Sequence, residues 1–136
     1  MLVEKAVVSC FLESGGKILI LKRSNKRGTY REKWEGVSGY IETTPDRQAL
    51  IEINEETGLK EKDVELVRKG EPLHIIDETL GIKWVVYPYL FHFKNNSRIR
   101  IDWEHQEMKW IHPEEIESYE TVPELKDTLG RVFNIK

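Results

Sequence analysis

Three carboxylates recur at helical spacing near the middle of the chain. Glu52, Glu55 and Glu56 stand at i, i+3 and i+4, so a helix puts them on one face about a turn apart. Like charges at that spacing destabilise an isolated helix by about 0.2–0.5 kcal/mol per pair. They also crowd toward a helix C-terminus, where the dipole disfavours negative charge. A divalent cation removes that cost. Oxygen-only ligands suit Mg²⁺ or Mn²⁺, and Mg²⁺ is commonly shared between carboxylates and substrate phosphates. The competing explanation is a solvated acidic face. Gly39 and Gly58 bracketing the segment, the basic stretch before it, Leu59 after it, and the later acids Glu104 and Glu107 favour the cation.

The helix itself is well signalled. Thr44 can cap it, Pro45 suits its first position and Asp46 suits the positive end of the dipole. It should run to about Thr57, with Gly58 as a left-handed cap and Ala49, Leu50, Ile53 and Thr57 as its core face. Before it, Lys5–Leu12 and Lys17–Lys22 read as buried strands joined by the turn Glu13-Ser14-Gly15-Gly16, and Ser24–Lys33 reads as a basic loop. After it, Val64–Lys69, Leu73–Glu78, Lys83–Phe93 and Lys109–Ile111 read as strands, with a bulge or an edge expected at Pro88. Pro113–Ser118 and Pro123–Val132 read as short helices. Strands dominate and helices sit early and late, which is an α+β pattern rather than a βαβ alternation.

At 136 residues the chain has the length of one domain, and no repeat or linker divides it. The formal net charge of −3 argues against a general binder of duplex nucleic acid or of an anionic membrane surface. No apolar run approaches the roughly 18 residues of a membrane span. The N-terminus lacks signal-peptide architecture, so a soluble cytoplasmic protein is expected. The single cysteine, Cys10, excludes an internal disulfide and a multi-cysteine zinc site. Asn95-Asn96-Ser97 fits a glycosylation sequon, but without an export signal it is read as chance.

The segment Glu52-Ile53-Asn54-Glu55-Glu56-Thr57-Gly58-Leu59 resembles the second half of the Nudix box, G-x5-E-x7-R-E-U-x-E-E-x-G-U with U aliphatic, and matches it throughout. Lys33-Trp34-Glu35-Gly36-Val37-Ser38-Gly39-Tyr40-Ile41-Glu42 is similar to the stretch that enters the box in many members. The order of elements extends the resemblance over nearly the whole chain. The first half of the box departs from the pattern. The stretch between Gly39 and Glu52 is two residues short, so the first box Glu falls at Thr43, and Ile51 stands where the box Arg is expected. In the family that Arg and Glu support the catalytic helix and loop. Losing both together is coherent, since a lone buried charge would be expensive. Ile51 points away from the core face, so it is expected to pack against the shortened loop.

The resemblance implies an α/β/α sandwich with a mixed central sheet, and metal-dependent hydrolysis of a nucleoside diphosphate linked to another group, either a nucleoside triphosphate or a dinucleoside polyphosphate. It makes Glu55 and Glu56 metal ligands, Glu52 a ligand or a base, and the backbone carbonyl near Gly39 a further ligand. The segment Asp102–Trp110 is similar to the late segment of the dATP/dihydroneopterin-triphosphate pyrophosphohydrolase branch. There an acid ahead of a Lys/Arg-Trp pair reaches the metals; Glu104 is the best match, with Glu107 second. Arg23 follows a strand, as in many members, and is the preferred phosphate contact over Lys26, Arg27 and Arg31. Tyr40, Trp34 and Trp84 are candidates for stacking on a base, although Trp34 could simply anchor the loop. His74, His92, His105 and His112 show no zinc spacing and are read as structural or solvent-facing, with His105 beside the candidate base. Two functions stay open ahead of a plain protein-interaction domain, an active hydrolase with a rebuilt loop and a nucleotide-binding regulatory module that turns over slowly or not at all. A monomer and a homodimer are both compatible with the sequence.

Overall fold

A computed structural model describes residues 1–94 and 98–134; the sequon Asn95-Asn96-Ser97 lies outside them. Two long strands, β1 (Val3–Ser14) and β7 (Ile82–Phe93), form the spine of a mixed sheet. They run parallel, in register from Val3 opposite Ile82 to Glu13 opposite His92. The other strand pairs among the described residues are antiparallel, and Trp34 makes an isolated parallel bridge to Thr121.

Each spine strand divides its outer edge between two partners. On β1, Val7–Cys10 pairs with β4 (Val37–Tyr40), and Glu13 and Ser14 pair with β2 (Lys17–Arg23). On β7, one end pairs with β5 (Val64–Lys69) and the other with β6 (Leu73–Asp77). Pro88 falls between these partners, where its missing N–H breaks no ladder. Its carbonyl accepts from Gly70, and the register shift lies across the way in β5, between Leu66 and Arg68. The short β3 (Trp34–Glu35) and the late β8 (His105–Ile111) both pair with β2. Gly36, between β3 and β4, passes over β1 where it changes partner. A Cβ there would stand 2.7 Å from the Cys10 carbonyl oxygen, so only glycine fits.

The period-2 pattern of the spine explains the layers. Val8, Cys10, Leu12, Leu19 and Leu21 face helix α1 (Pro45–Thr57) and pack with Ala49, Ile53 and Leu59. Phe11, Ile18, Ile20 and Leu90 face the opposite way, onto the Pro113–Ser118 3₁₀ segment and helix α2 (Leu125–Gly130), with Ile116, Leu125 and Leu129. Both faces are covered, so these strands read as continuous apolar runs. The result is the expected α/β/α sandwich with a mixed sheet. No helix among the described residues is long and apolar enough to cross a membrane.

The boundaries of α1 are those the sequence signals. Thr44 Oγ1 accepts from the Arg47 N–H, Pro45 opens the first turn, and Gly58 closes the last at φ 77° with its N–H donated to Asn54 O. Elsewhere the expectations need correction. β3 and β4 are too short to show a period, β8 begins four residues earlier than Lys109, and the last helix spans only Leu125–Gly130 of the expected Pro123–Val132.

The Gly58 cap can be tested by itself. A Cβ at this position would meet only Arg100 Nε at 3.9 Å, so the cost of Gly58→Ala is that of the left-handed backbone alone. Urea unfolding should show a loss of about 1–2 kcal/mol.

Candidate active site

Helix α1 buries two faces. One is apolar, through Ala49 and Ile53, and the other is polar, through Gln48, Glu52 and Glu56 at i, i+4 and i+8. Glu56 is fully buried and Glu52 is 8% exposed, so this is not a solvated acidic face. Glu55 remains exposed at the rim. The polar face looks into a cleft of about 400 Å³ whose walls include Arg23, Arg27, Glu35, Gly39, Tyr40, Glu52, Glu55, Trp84, Trp103 and Glu104.

The cleft floor is a cluster of acids with unequal compensation. Glu35 Oε1 accepts from Arg23 Nη1 at 2.8 Å and from Ser38 Oγ at 3.0 Å; its Oε2 accepts from His105 Nε2 at 2.8 Å. Arg27 Nη1 stands 3.5 Å from Glu35 Oε2 and 3.1 Å from Glu104 Oε2, bridging the two acids. Burial alone would lift the Glu35 pKa, but the His105 hydrogen bond and the Arg23 charge outweigh it and hold it below its ordinary value. Glu35 is therefore a carboxylate, and His105 donates to it from a protonated Nε2.

Glu56 has no such help. Its Oε1 takes a long 3.4 Å bond from the Ser38 N–H and lies 3.7 Å from His105 Nε2. Its Oε2, like His105 Nδ1, is buried with no partner among the described residues. Burial, reinforced by the charges of Glu35, Glu104 and Glu52, raises its pKa well above the ordinary value. Glu52 is raised too, by burial first and by the charge of Glu55, against a lowering hydrogen bond from Gln48. Glu104, half-buried, is raised chiefly by burial, with the Arg27 charge opposing.

The backbone closes on these acids. A Cβ on Gly39 would come within 2.1 Å of Glu52 Oε1, so glycine is required for the Glu52 carboxylate to lie against the strand. An orphaned buried oxygen on Glu56, a glycine cradle under Glu52 and an all-carboxylate donor set fit a divalent cation. One donor atom each from Glu35, Glu56 and His105 also lie within 4.8 Å of one another. Glu35 and His105 satisfy each other there, which leaves Glu56 as the member able to take a cation.

The structure brings Gly39, Glu52, Glu55, Glu104, Arg23 and Tyr40 to one cleft, with Glu56 directly beneath Ser38. Glu107 is exposed on β8 and paired in register with Lys22, away from the cleft. The Arg23 guanidinium is turned to Glu35 and to Thr29, whose carbonyl accepts from Nε at 3.0 Å and from Nη2 at 2.8 Å. Arg31 donates to the Arg27 carbonyl. Trp34 is buried edge-on against Tyr119, an anchor rather than a stacking surface. Tyr40, 52% exposed, stacks on Trp84 with ring centres 6.2 Å apart. Trp84 Nε1 donates to Tyr30, whose hydroxyl donates to Asp77.

Ile51 does not pack under the short loop. It is 37% exposed in an outer hollow with Arg47, Leu50 and Asn54, because its place on the helix faces away from both buried stripes. Sequence reasoning did not single out Glu35 or Gln48. Glu35 carries no periodic signal, whereas Gln48 stands at i−4 from Glu52 and that spacing is legible.

A family model for the NUDIX domain matches residues 3–132. The chain belongs to the NUDIX family. Membership carries the family's general character, hydrolysis of nucleotide pyrophosphate linkages with a divalent metal ion. Solved structures share the fold. An Ap4A hydrolase binary complex from C. elegans is 19% identical at a TM-score of 0.74, over 96% of this chain and 94% of that one. A MutT protein from Methanosarcina mazei Go1 is 20% identical at 0.77, over 96% and 94%. A MutT NUDIX hydrolase from Burkholderia pseudomallei is 21% identical at 0.74, over 96% and 99%.

The raised acids make the metal-free protein pH-sensitive in a defined direction. Between their ordinary and folded pKa values Glu56, Glu52 and Glu104 hold protons in the native state that the unfolded chain has lost, so stability falls as pH rises through that interval. Glu35 has the opposite sign. Its contribution is present above the ordinary carboxylate pKa and is lost only as pH falls below it. In chelator, the thermal midpoint should therefore drop as pH is raised from about 5 to about 8, and saturating Mn²⁺ should remove most of that slope.

Proposed function

We propose that this chain hydrolyses the pyrophosphate linkage of a nucleoside triphosphate or a dinucleoside polyphosphate, with Mg²⁺ or Mn²⁺ held by Glu52, Glu55, Glu56 and the backbone at Gly39. The observation that carries this reading is two buried acids without an arginine or lysine partner, Glu52 in the wall of a cleft that also holds guanidinium and aromatic groups and Glu56 one turn further along the helix. The names of similar folds, an Ap4A hydrolase and MutT proteins, agree with it.

A bound divalent ion would offset the charge of the diphosphate and lower the pKa of a water. The chain's own groups do the rest. Glu104 is the general base. It lines the cleft, burial raises its proton affinity, and the Arg27 ion pair fixes its carboxylate. Arg27 is also the better phosphate contact, because Arg23 spends its donors on Glu35 and Thr29. Arg23 then serves by holding Glu35, and through Glu35 the His105 ring. Tyr40, backed by Trp84, and the exposed Trp103 offer apolar faces to a base.

The test is release of phosphate or pyrophosphate from a panel of nucleoside triphosphates, nucleotide sugars and dinucleoside polyphosphates, with Mg²⁺ or Mn²⁺ and with chelator. Chelator-sensitive turnover of a triphosphate or a dinucleoside polyphosphate is expected. Glu56→Gln should abolish it while keeping or raising metal-free stability, since an acid buried without a cationic partner gives way to a neutral amide. Glu104→Gln should lower kcat by about 10²–10⁴-fold, and Glu107→Gln should leave it unchanged. Metal-dependent nucleotide binding without turnover would replace this reading with that of a regulatory module.

A further inference from the structure

Glu35 and Glu52 are both buried acids in one cleft, yet they are held in different ways. Glu35 is fixed by two arginines and a histidine. Glu52 is fixed by a neutral amide. Gln48, 2% exposed, donates from Nε2 to Glu52 Oε2 at 2.7 Å, and its Oε1 accepts the Glu42 N–H at 3.0 Å. The partners fix the amide's orientation. A backbone N–H needs an acceptor, so the oxygen faces Glu42 and the NH₂ faces the carboxylate. One side chain thus ties the loop after β4 to the helix and sets the carboxylate, whose other oxygen abuts Gly39.

We propose that Gln48 is a positioning residue for the metal site, holding Glu52 in place and bracing the loop after β4 without neutralising the charge a cation needs. The inference rests on the reading of Glu52 as a metal ligand. A cationic side chain in this position would hold the carboxylate as firmly but would compete with the ion, as Arg23 and Arg27 do at Glu35. The opposite side of the helix offers no substitute, since Ile51 faces outward and carries no polar group. The i, i+4 spacing of Gln48 and Glu52 lets the bond form within one turn, so the tie is built with the helix.

The experiment uses Mn²⁺ alone as the probe, with binding read by electron paramagnetic resonance and no substrate present. Gln48→Met keeps the length and apolar bulk of the side chain and removes both hydrogen bonds. It should weaken Mn²⁺ binding by about tenfold or more, and in a Glu52→Gln background it should cause no further loss. An unchanged affinity, or an equal loss in both backgrounds, would overturn the proposal and leave Gln48 as packing. Amide hydrogen exchange on the unsubstituted chain gives an independent reading should the variant fail to fold. The Glu42 N–H should exchange well below its intrinsic rate, and free exchange would overturn the proposal. Absence of Mn²⁺ binding by the unsubstituted chain would instead overturn the metal-site reading together with this inference.

Discussion

Burying several carboxylates at the floor of one cleft is expensive. Moving an ionised carboxylate out of water costs several kcal/mol after relaxation unless charge partners and hydrogen bonds replace the lost hydration. This fold supplies them to Glu35, which takes an arginine from the end of β2, a histidine from the start of β8 and a hydroxyl from β4. It withholds them from Glu56, which receives one long backbone bond and keeps an orphaned oxygen. Breaking the Glu35 cluster by removing one member would strand the others. The neutralised half therefore acts as a fixed foundation, and the uncompensated half is the part left able to take a ligand.

The topology follows from that demand. Residues from β2, from the adjoining β3 and β4, and from the late β8 must converge within hydrogen-bonding distance, and the sheet achieves this by splitting the outer edge of β1 between β4 and β2. Gly36 makes the crossing possible, because its bare backbone passes over Cys10 where the ladders part. The segment before it is pinned by Trp34, whose N–H donates to the Glu120 carbonyl and whose ring meets Tyr119. The basic loop is pinned separately, by Tyr30 reaching Asp77. Tyr30 and Glu32 hold left-handed conformations, at φ 47° and 63°, a local strain accepted where the chain must turn Arg27 and Arg23 inward.

The legible part of this arrangement was local. Thr44, Pro45 and Gly58 announce the helix and its two ends, and the three glutamates mark it as the candidate ligand helix, because caps and i, i+4 spacing are properties of contiguous residues. The strands of the spine were legible for the same reason. What escaped is non-local. Glu35 belongs to a two-residue strand, too short for periodicity, and its meaning depends on Arg23 and His105, which only the closed sheet brings to it. Likewise the preference for Arg23 over Arg27 followed from position along the chain. What position along the chain does not reveal is that the Arg23 guanidinium is engaged by Glu35 and Thr29.

The altered box positions acquire a physical sense in this setting. An ionic brace across the helix and its preceding loop requires two long charged side chains and a loop long enough to present one of them. With the loop shortened, Thr43 and Ile51 could not reproduce that geometry, and a single survivor would have been an unpaired charge near a cleft already crowded with acids. A buried glutamine avoids both problems. It spans the gap between the Glu42 backbone and the Glu52 carboxylate with one acceptor and one donor, it adds no charge to the site, and it needs only the i, i+4 proximity that the helix supplies. The shortened loop and the neutral tie are thus two sides of one solution. The less chain there is to carry a brace, the more the brace must come from the helix itself.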